Sequence, residues 1–135
     1  KTMLKLGLEK ESLDIVNDQY GSPTYAGDIA KAIISIISTI ENGTEIKWGL
    51  YNFSGKPYVN WYQFAQKIFL SAEKLDLIKK APNLIPVTSA NFSTAVERPK
   101  NSKLNCQKIA KEFGIFPSNW ELELKNIINY IEQGQ

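Results

Sequence analysis

The sequence predicts an α/β domain that is rich in helix and has a few short, partly parallel strands. Two observations support this fold class: two apolar runs that end in small polar residues, and helix-spaced apolar stripes that follow them. The composition, 43% hydrophobic and 22% charged residues, is that of an ordinary globular protein. A strand that passes through a polar loop into a helix is typical of α/β sheets, where ligands bind beyond the carboxyl ends of the strands. At 135 residues the chain is predicted to form a single domain, residues 1–135, with its own core.

The junction at residues 18–30 organises the rest of the chain. Residues 12–16 are predicted to form a strand, which ends in a loop of turn-forming residues. Thr24 is placed to cap the helix that follows, whose apolar residues recur with helical spacing over 26–40. Met3, Leu4 and Leu8, together with Lys1, Lys5 and Lys10, predict the last turns of an amphipathic helix.

Two more segments extend this pattern. Residues 49–53 are predicted to form a second strand that stops at a Ser-Gly pair. Asn60 then begins the clearest helix in the chain, with Gln63 in the capping-box position and an apolar stripe from Trp61 to Ala72. Residues 84–88 are expected to be extended, and Pro86 favours an edge strand or a loop over a central strand, because proline cannot donate to a ladder.

The last third of the chain is predicted to be less regular. Residues 89–104 form a long polar connection of the kind that is functional or disordered. Asn105 can cap a short helix that Gly114 ends. A final helix is expected from Ser118, with Glu121 in the capping-box position. Its buried face is predicted to contain Trp120, Leu124, Ile127, Ile128 and Ile131.

Composition excludes several classes of function. The formal charge of +2 is too small and too evenly spread for a nucleic-acid or membrane-binding face, so neither partner is expected. The absence of histidine excludes His-based zinc sites and Ser/His/Asp catalysis within this chain. A single cysteine and the lack of any membrane-length apolar run favour a cytoplasmic location. Because the chain opens without Met, inside a predicted helix, we expect it to be a piece of a longer protein.

The strongest candidate for chemistry is the segment 98–105. It places the Arg98 guanidinium beside lysines and hydrogen-bonding side chains, among them Asn101 and Ser102. A guanidinium can meet two phosphate oxygens with a planar pair of donors, as a diphosphate requires. A solvated loop of ordinary surface charges is an equally good interpretation of the composition alone.

The loop 18–24 is a second candidate. Gln19, Tyr20, Ser22 and Thr24 could hydrogen-bond a sugar or its phosphate, although a capped turn needs the same residue types. The aromatic residues could stack a base but are more often core: Trp48, Tyr51, Tyr58, Trp61, Phe92 and Trp120. Cys106 is predicted to be a small buried hydrophobe rather than a nucleophile.

Redox machinery is missing from the sequence. No glycine-rich dinucleotide fingerprint follows a strand into a helix, and no tyrosine is followed four residues later by lysine. Such a pair could donate a proton to a carbonyl, with the ammonium lowering the tyrosine pKa. We therefore assign no catalytic or cofactor-binding residue to this chain and expect it to be inactive in hydride transfer by itself.

Three segments together resemble a known family. Asp-Gln-Tyr-Gly-Ser-Pro-Thr at 18–24, Tyr-Asn-Phe-Ser-Gly at 51–55 and Arg-Pro-Lys-Asn-Ser-Lys-Leu-Asn at 98–105 are similar, in order and spacing, to the C-terminal half of the dTDP-4-dehydrorhamnose reductases. These enzymes are Rossmann-type extended short-chain dehydrogenases. The resemblance covers nearly the whole chain. It implies that the chain is the substrate-binding half of a longer enzyme.

The resemblance also implies chemistry and partners. The family uses NADPH, or NADH in some members, to reduce the 4-keto group of dTDP-4-dehydro-β-L-rhamnose to dTDP-L-rhamnose. The cofactor loop and the catalytic Tyr-x-x-x-Lys pair would lie in the N-terminal Rossmann half, upstream of this chain. Some members bind magnesium between subunits through a carboxylate just after the Pro-Thr pair. That place here is near Gly27, beside Asp28, so no metal site is assigned and the use of magnesium stays open.

By the same likeness Arg98 matches the arginine that related enzymes direct at the substrate diphosphate. The full set of predicted substrate-binding residues is Gln19, Pro23, Thr24, Arg98, Asn101 and Ser102. The expected partners are a nucleotide sugar and the N-terminal Rossmann half, with a homodimer left open. Two alternatives also stay open: a non-catalytic, dehydrogenase-like regulatory subunit that binds another protein, and another sugar-nucleotide epimerase or dehydratase.

Overall fold

The structure, a computed structural model, describes residues 1–92 and 96–126, which form five helices and four short strands. In chain order the elements are α1 (Thr2–Glu9), β1 (Ser12–Val16), β2 (Tyr20–Gly21), α2 (Ala26–Glu41), β3 (Val59–Asn60), α3 (Trp61–Lys74), β4 (Asn83–Val87), a 3₁₀ turn (Ser89–Asn91), α4 (Gln107–Phe113) and α5 (Trp120–Glu123). The predicted helix-rich α/β class is confirmed. Among these residues, no helix combines the length and the apolar character that crossing a bilayer requires.

The core forms around α3, which begins as the sequence predicts. The Asn60 side chain accepts from Gln63 N at 2.7 Å, and the Gln63 side chain accepts from Asn60 N at 3.0 Å, completing a capping box. The apolar stripe of α3 packs against β1 and α1. The buried residues of this cluster are Leu4, Leu13, Ile15, Ala65, Ile68, Phe69, Ala72 and Ile78. Trp61, at the start of the stripe, differs because its side chain is 43% exposed.

The described strands make two small sheets. β1 and β4 pair in parallel, from Ser12 opposite Asn83 to Val16 opposite Val87. The extended stretch predicted over 84–88 is thus a strand, shifted by one residue, and β1 is its only neighbour in the described part of the chain. β2 and β3 form a short antiparallel pair that joins the organising loop to the start of α3.

The strand predicted over 49–53 is wrong, because this segment joins no ladder among the described residues. Tyr51 and Phe53 are half-buried, but the described part of the chain leaves Leu50 uncovered. Leu50 is 80% exposed and Trp48, expected to be core, is 79% exposed. Side-chain hydrogen bonds to the backbone fix the segment: Lys108 Nζ donates to Leu50 O at 3.0 Å, and the Tyr51 hydroxyl donates to Lys47 O.

The helix predicted over 26–40 is confirmed, but its start and its burial differ from expectation. Tyr25, not Thr24, occupies the N-cap position, and its side chain makes no cap hydrogen bond. The only residue of α2 that the described chain buries is Ala32. Five isoleucines of α2 are 39–62% exposed: Ile29, Ile33, Ile34, Ile37 and Ile40. The periodicity predicts an apolar face, and the described residues leave most of that face uncovered.

The two C-terminal helices follow prediction in type and differ at their starts. The Asn105 side chain accepts from Gln107 N at 2.9 Å, and Gly114 ends α4 with φ of 66°, a conformation that glycine adopts without strain. α5 is capped by Asn119, one residue after the predicted Ser118. Cys106 is buried, as expected. Of the predicted buried face, Ile127, Ile128 and Ile131 lie outside the described residues.

Candidate functional site

The 18–24 and 98–105 motifs lie side by side, because β2, which belongs to the first of them, forms hydrogen bonds on both edges. On one edge it pairs with β3. On the other edge Tyr20 N donates to Lys100 O at 2.8 Å, and Ser102 N donates to Tyr20 O at 2.8 Å. Gly21 permits this approach, since a Cβ there would lie 2.7 Å from Ser102 Oγ. The segment that follows Arg98 is therefore fixed along the 18–24 loop.

The remaining motif, residues 51–55, forms hydrogen bonds to the same loop through its Ser-Gly end. Gly55 N donates to Thr24 Oγ1 at 3.0 Å, and the Ser22 hydroxyl donates to Gly55 O. A Cβ at Gly55 would lie 2.2 Å from Pro23 O, so only glycine fits. Ser54, beside it, is buried with its Oγ 3.6 Å from Cys106 Sγ. The three motifs, widely spaced in sequence, thus meet along the 18–24 loop, the 51–55 motif at Ser22 and Thr24 and the 98–105 motif at Tyr20.

A cavity of about 320 Å³ opens between these segments. Its walls come from the organising loop, the first turn of α3 and the segment that begins at Arg98. The lining residues are Gln19, Tyr20, Gly21, Ser22, Pro23, Val59, Asn60, Trp61, Phe64, Arg98, Pro99 and Ser102. The volume lies at the lower end of the range typical of small-molecule sites.

The structure brings four of the six predicted binding residues to this cavity: Gln19, Pro23, Arg98 and Ser102. Thr24 lies behind it and lines an adjoining, mostly apolar cavity of about 170 Å³. Asn101 is not part of the lining, and its side-chain oxygen accepts from Lys103 N at 3.1 Å. Both residues therefore support the cavity walls from behind: Thr24 accepts a hydrogen bond from Gly55 N, and Asn101 accepts one from Lys103 N. The roles of all six in binding stay predictions.

Two lining residues were assigned to the core by sequence reasoning. Trp61 and Phe64 were placed in the apolar stripe of α3, yet both reach the cavity from the first turn of the helix. Their rings are 6.4 Å apart, and Phe64 stands edge-on to the buried Trp120 at 5.2 Å. The Asn60 cap is the signal that could have located them, because it anchors this turn to Asn17 O through a 2.8 Å bond.

Charged groups of both signs lie on or next to the cavity wall. Arg98 is exposed at one wall. Near Gln19, the Asp18 carboxylate accepts from Ser89 Oγ at 2.5 Å and Ser89 N at 2.9 Å. The hydrogen bond from the Ser89 side chain, aided by that from its backbone and by the charge of Lys100, holds the pKa of Asp18 below its ordinary value.

Lysines also gather around tyrosine rings beside the cavity. Lys103 Nζ lies 5.0 Å from the centre of the Tyr20 ring and 5.7 Å from that of Tyr58, whose hydroxyl donates to Leu104 O. Within residues 1–92 and 96–126, no group of three or more Cys, Asp or Glu side chains could hold a metal ion. Asp28, named above in connection with magnesium, forms an ion pair with Lys31 Nζ at 3.1 Å.

Residues 1–133 match the model of a protein family described as the RmlD substrate binding domain. The chain belongs to this family. A dTDP-4-dehydrorhamnose reductase of Aggregatibacter actinomycetemcomitans is 44% identical over 132 residues, which are 98% of this chain and 45% of that enzyme. The RmlD domain thus spans less than half the length of the curated relatives it matches. The resemblance noted in the sequence is confirmed.

Solved structures extend the comparison. A dTDP-4-dehydrorhamnose reductase of Bacillus anthracis, in complex with NADP, has a TM-score of 0.77 and 32% identity to the RmlD domain; the match covers 96% of this chain and 42% of that one. A UDP-glucuronic acid 4-epimerase of Bacillus cereus, with UDP-glucuronic acid and NAD, has a TM-score of 0.67 at 20% identity, covering 97% and 38%. The second likeness shows a shared fold alone.

Proposed function

We propose that this RmlD domain is the sugar-nucleotide-binding part of a dTDP-4-dehydrorhamnose reductase. That enzyme reduces the 4-keto group of dTDP-4-dehydro-β-L-rhamnose to dTDP-L-rhamnose with NADPH. The observation that supports the proposal most is the shared cavity, to which Arg98 and the 18–24 loop both contribute. A cavity lined by a guanidinium, hydrogen-bonding side chains and aromatic rings matches a sugar joined to a base through a diphosphate.

Each predicted residue has a place in this proposal. Arg98 binds the diphosphate with paired N–H donors, and Ser102 and Gln19 hydrogen-bond the sugar nucleotide. Pro23 forms an apolar part of the wall. Thr24 and Asn101 act indirectly, Thr24 by holding Gly55 and Asn101 by holding the turn at residue 103.

The cofactor is assigned to the part of the longer protein outside this chain. Free amides at a helix N-terminus are a common site for the pyrophosphate of a dinucleotide. The first turn of α2 carries the Asp28 carboxylate, which repels an anion, and Gln63 N at the start of α3 is already bonded to Asn60. NADPH supplies the hydride when it is bound; the RmlD domain binds and orients the sugar nucleotide. The proposal includes NADPH, or NADH, as the hydride donor. It also includes a cytoplasmic location, which agrees with the single, unpaired Cys106 of the described residues.

The partner of this domain is proposed to be the cofactor-binding half of the same protein. The relatives are more than twice as long as this chain, so a second half of similar size is expected to pack against it. The exposed isoleucine face of α2 is the surface for that contact. The unpaired segment 49–53 lies beside it, since Phe53 and Ala32 line one cavity. A strand of the cofactor-binding half would pair with this segment, which joins no ladder among the described residues, and a homodimer contact would lie elsewhere.

Replacing Arg98 by alanine in the full-length protein tests the proposed function. The KM for the sugar nucleotide is expected to rise by roughly tenfold or more, because charge-assisted bonds to the diphosphate are lost, while NADPH binding is retained. Lys79→Ala, which removes an exposed cation from a part of the chain that does not line the cavity, is the matched control. Unchanged kinetics in Arg98→Ala would remove Arg98 from the site, and turnover of other nucleotide sugars in preference would favour an epimerase or dehydratase.

A further inference from the structure

Gln19 reaches the cavity at the end of a chain of side chains that starts at Asp18. The Asp18 carboxylate accepts two hydrogen bonds from Ser89, from its backbone N at 2.9 Å and from its Oγ at 2.5 Å. Gln19 Nε2 lies 3.1 Å from the same Ser89 Oγ. Ser89 belongs to the 3₁₀ turn after β4, so these bonds tie the organising loop to a segment 70 residues away in sequence.

The donors and acceptors of Asp18, Ser89 and Gln19 determine the orientation of the Gln19 amide. An ionised carboxylate can only accept, so the single hydroxyl proton of Ser89 is committed to Asp18. The Ser89 oxygen can then only accept from Gln19, which places Nε2, not Oε1, against it. The lowered pKa of Asp18 keeps the carboxylate ionised at neutral pH. Oε1 and the second N–H of Gln19 make no other hydrogen bond within the described residues.

The cavity also offers a flat ring on which a base can stack. Trp61 lines it with a side chain that is 43% exposed, and its indole rests on Phe64. Phe64 is supported in turn by Trp120, whose Nε1 donates to Pro57 O at 2.8 Å. This row of rings holds the exposed indole in place, and a stacked base would therefore have a defined position.

We infer that Asp18 and Ser89 are positioning residues that orient the Gln19 amide, and that Gln19 then reads the imide edge of a thymine or uracil base. A thymine-type edge offers an N–H donor next to a carbonyl acceptor, which complements a fixed Oε1 and N–H. Cytosine in the same position offers the reverse order, a ring nitrogen acceptor next to an amino donor, and fits only a flipped amide. Thymine enters through the proposed function, on which this inference rests.

The test compares binding of dTDP and dCDP, which differ only in the base, by calorimetry on the full-length protein. The wild type is expected to bind dTDP roughly tenfold or more tightly than dCDP, because a wrong base leaves buried polar groups unpaired. Ser89→Ala frees the amide to turn, so the preference is expected to fall to about threefold or less, through weaker dTDP binding. Ser89→Thr keeps the hydroxyl and restores the preference, and dUDP binds like dTDP.

Two further variants keep the test decisive. Asn91→Ala, an exposed position in the same 3₁₀ turn, is expected to leave both affinities unchanged. Gln19→Leu keeps much of the volume, removes both polar atoms and abolishes the preference. An unchanged preference in Ser89→Ala, an equal loss of both ligands there, or a wild type that binds dTDP and dCDP equally would each overturn the inference alone. A wild type that binds neither nucleotide would overturn the proposed function.

Discussion

Replacing Gly55 by alanine tests whether the close packing at this residue holds the cavity together. A Cβ at Gly55 would lie 2.2 Å from Pro23 O, 3.2 Å from Trp120 Cδ1 and 3.3 Å from Ser118 O. Two of these three atoms are backbone oxygens, which cannot rotate away as a flexible side chain can. Ordinary contact begins at 3.4 Å, so the 22–24 turn and Gly55 must separate by a little over 1 Å.

The expected cost follows from the contacts that this separation breaks. Overpacking by one methyl group against rigid neighbours costs about 1–3 kcal/mol. The two hydrogen bonds between Gly55 and the turn, to Thr24 Oγ1 and from the Ser22 hydroxyl, contribute about 0.5–1.5 kcal/mol each. The free energy of unfolding should therefore fall by roughly 2–6 kcal/mol, a large part of the 5–15 kcal/mol typical of a domain.

Urea denaturation and dTDP calorimetry on the full-length protein measure this effect. Gly43→Ala is the control: nothing lies within 4 Å of its Cβ position, but its φ of +73° costs an alanine about 1–2 kcal/mol. Alanine at Gly55 should destabilise by at least about 1 kcal/mol more than at Gly43 and should also weaken dTDP binding. Equal stability of the two variants with unchanged dTDP affinity would refute the reasoning.

Four other predictions concern the core, a cap, the exposed helix face and pH. Phe69→Ala, at a site 1% exposed, should lower the free energy of unfolding by about 3–5 kcal/mol in urea titrations; a loss below about 1 kcal/mol would contradict its place in the core. Asn60→Ala should cost about 0.5–2 kcal/mol by the same measurement, because the capping box is lost. Ile33→Ser in the full-length protein should destabilise by about 1 kcal/mol or more if the other half covers α2, whereas an exposed site would change within about 0.5 kcal/mol. The pKa of Asp18 in the folded protein lies below its ordinary value of 3.8, so its contribution to stability is present above that value and is lost as pH falls through the folded pKa. When the free energy of unfolding is measured from pH 2 to 7, Asp18→Asn should therefore lose less stability in acid than the wild type.

Local signals in the sequence predicted local structure well. The Asn60–Gln63 capping box and the Gly114 stop are confirmed because each needs only residues within one turn of the helix end. The parallel partner of β1 could not be predicted in this way. Residues 49–53 and 83–87 both have strand character, and only the tertiary structure shows that the second of them pairs with β1, while α3 packs against both strands.

Burial was predicted less well than periodicity. The isoleucine spacing of α2 correctly gives an apolar face, but a periodic pattern does not tell which molecule covers that face. Trp61 shows the same limit at the site. Its position in the stripe predicts core, while its place in the first turn of α3 leaves its side chain partly exposed at the cavity.

The sequence by itself determined the fold class, the family and the residue types proposed to bind a sugar diphosphate. It could do so because motifs and helical periodicity depend only on residues that are close to one another in the sequence. The tertiary structure alone decided which of the six predicted residues meet. Hydrogen bonds between β2 and the segment 100–102 bring Gln19, Pro23, Arg98 and Ser102 to one cavity and leave Thr24 and Asn101 behind its walls. Such contacts join residues about 80 positions apart, and their pairing depends on the packing of the whole domain rather than on any local pattern.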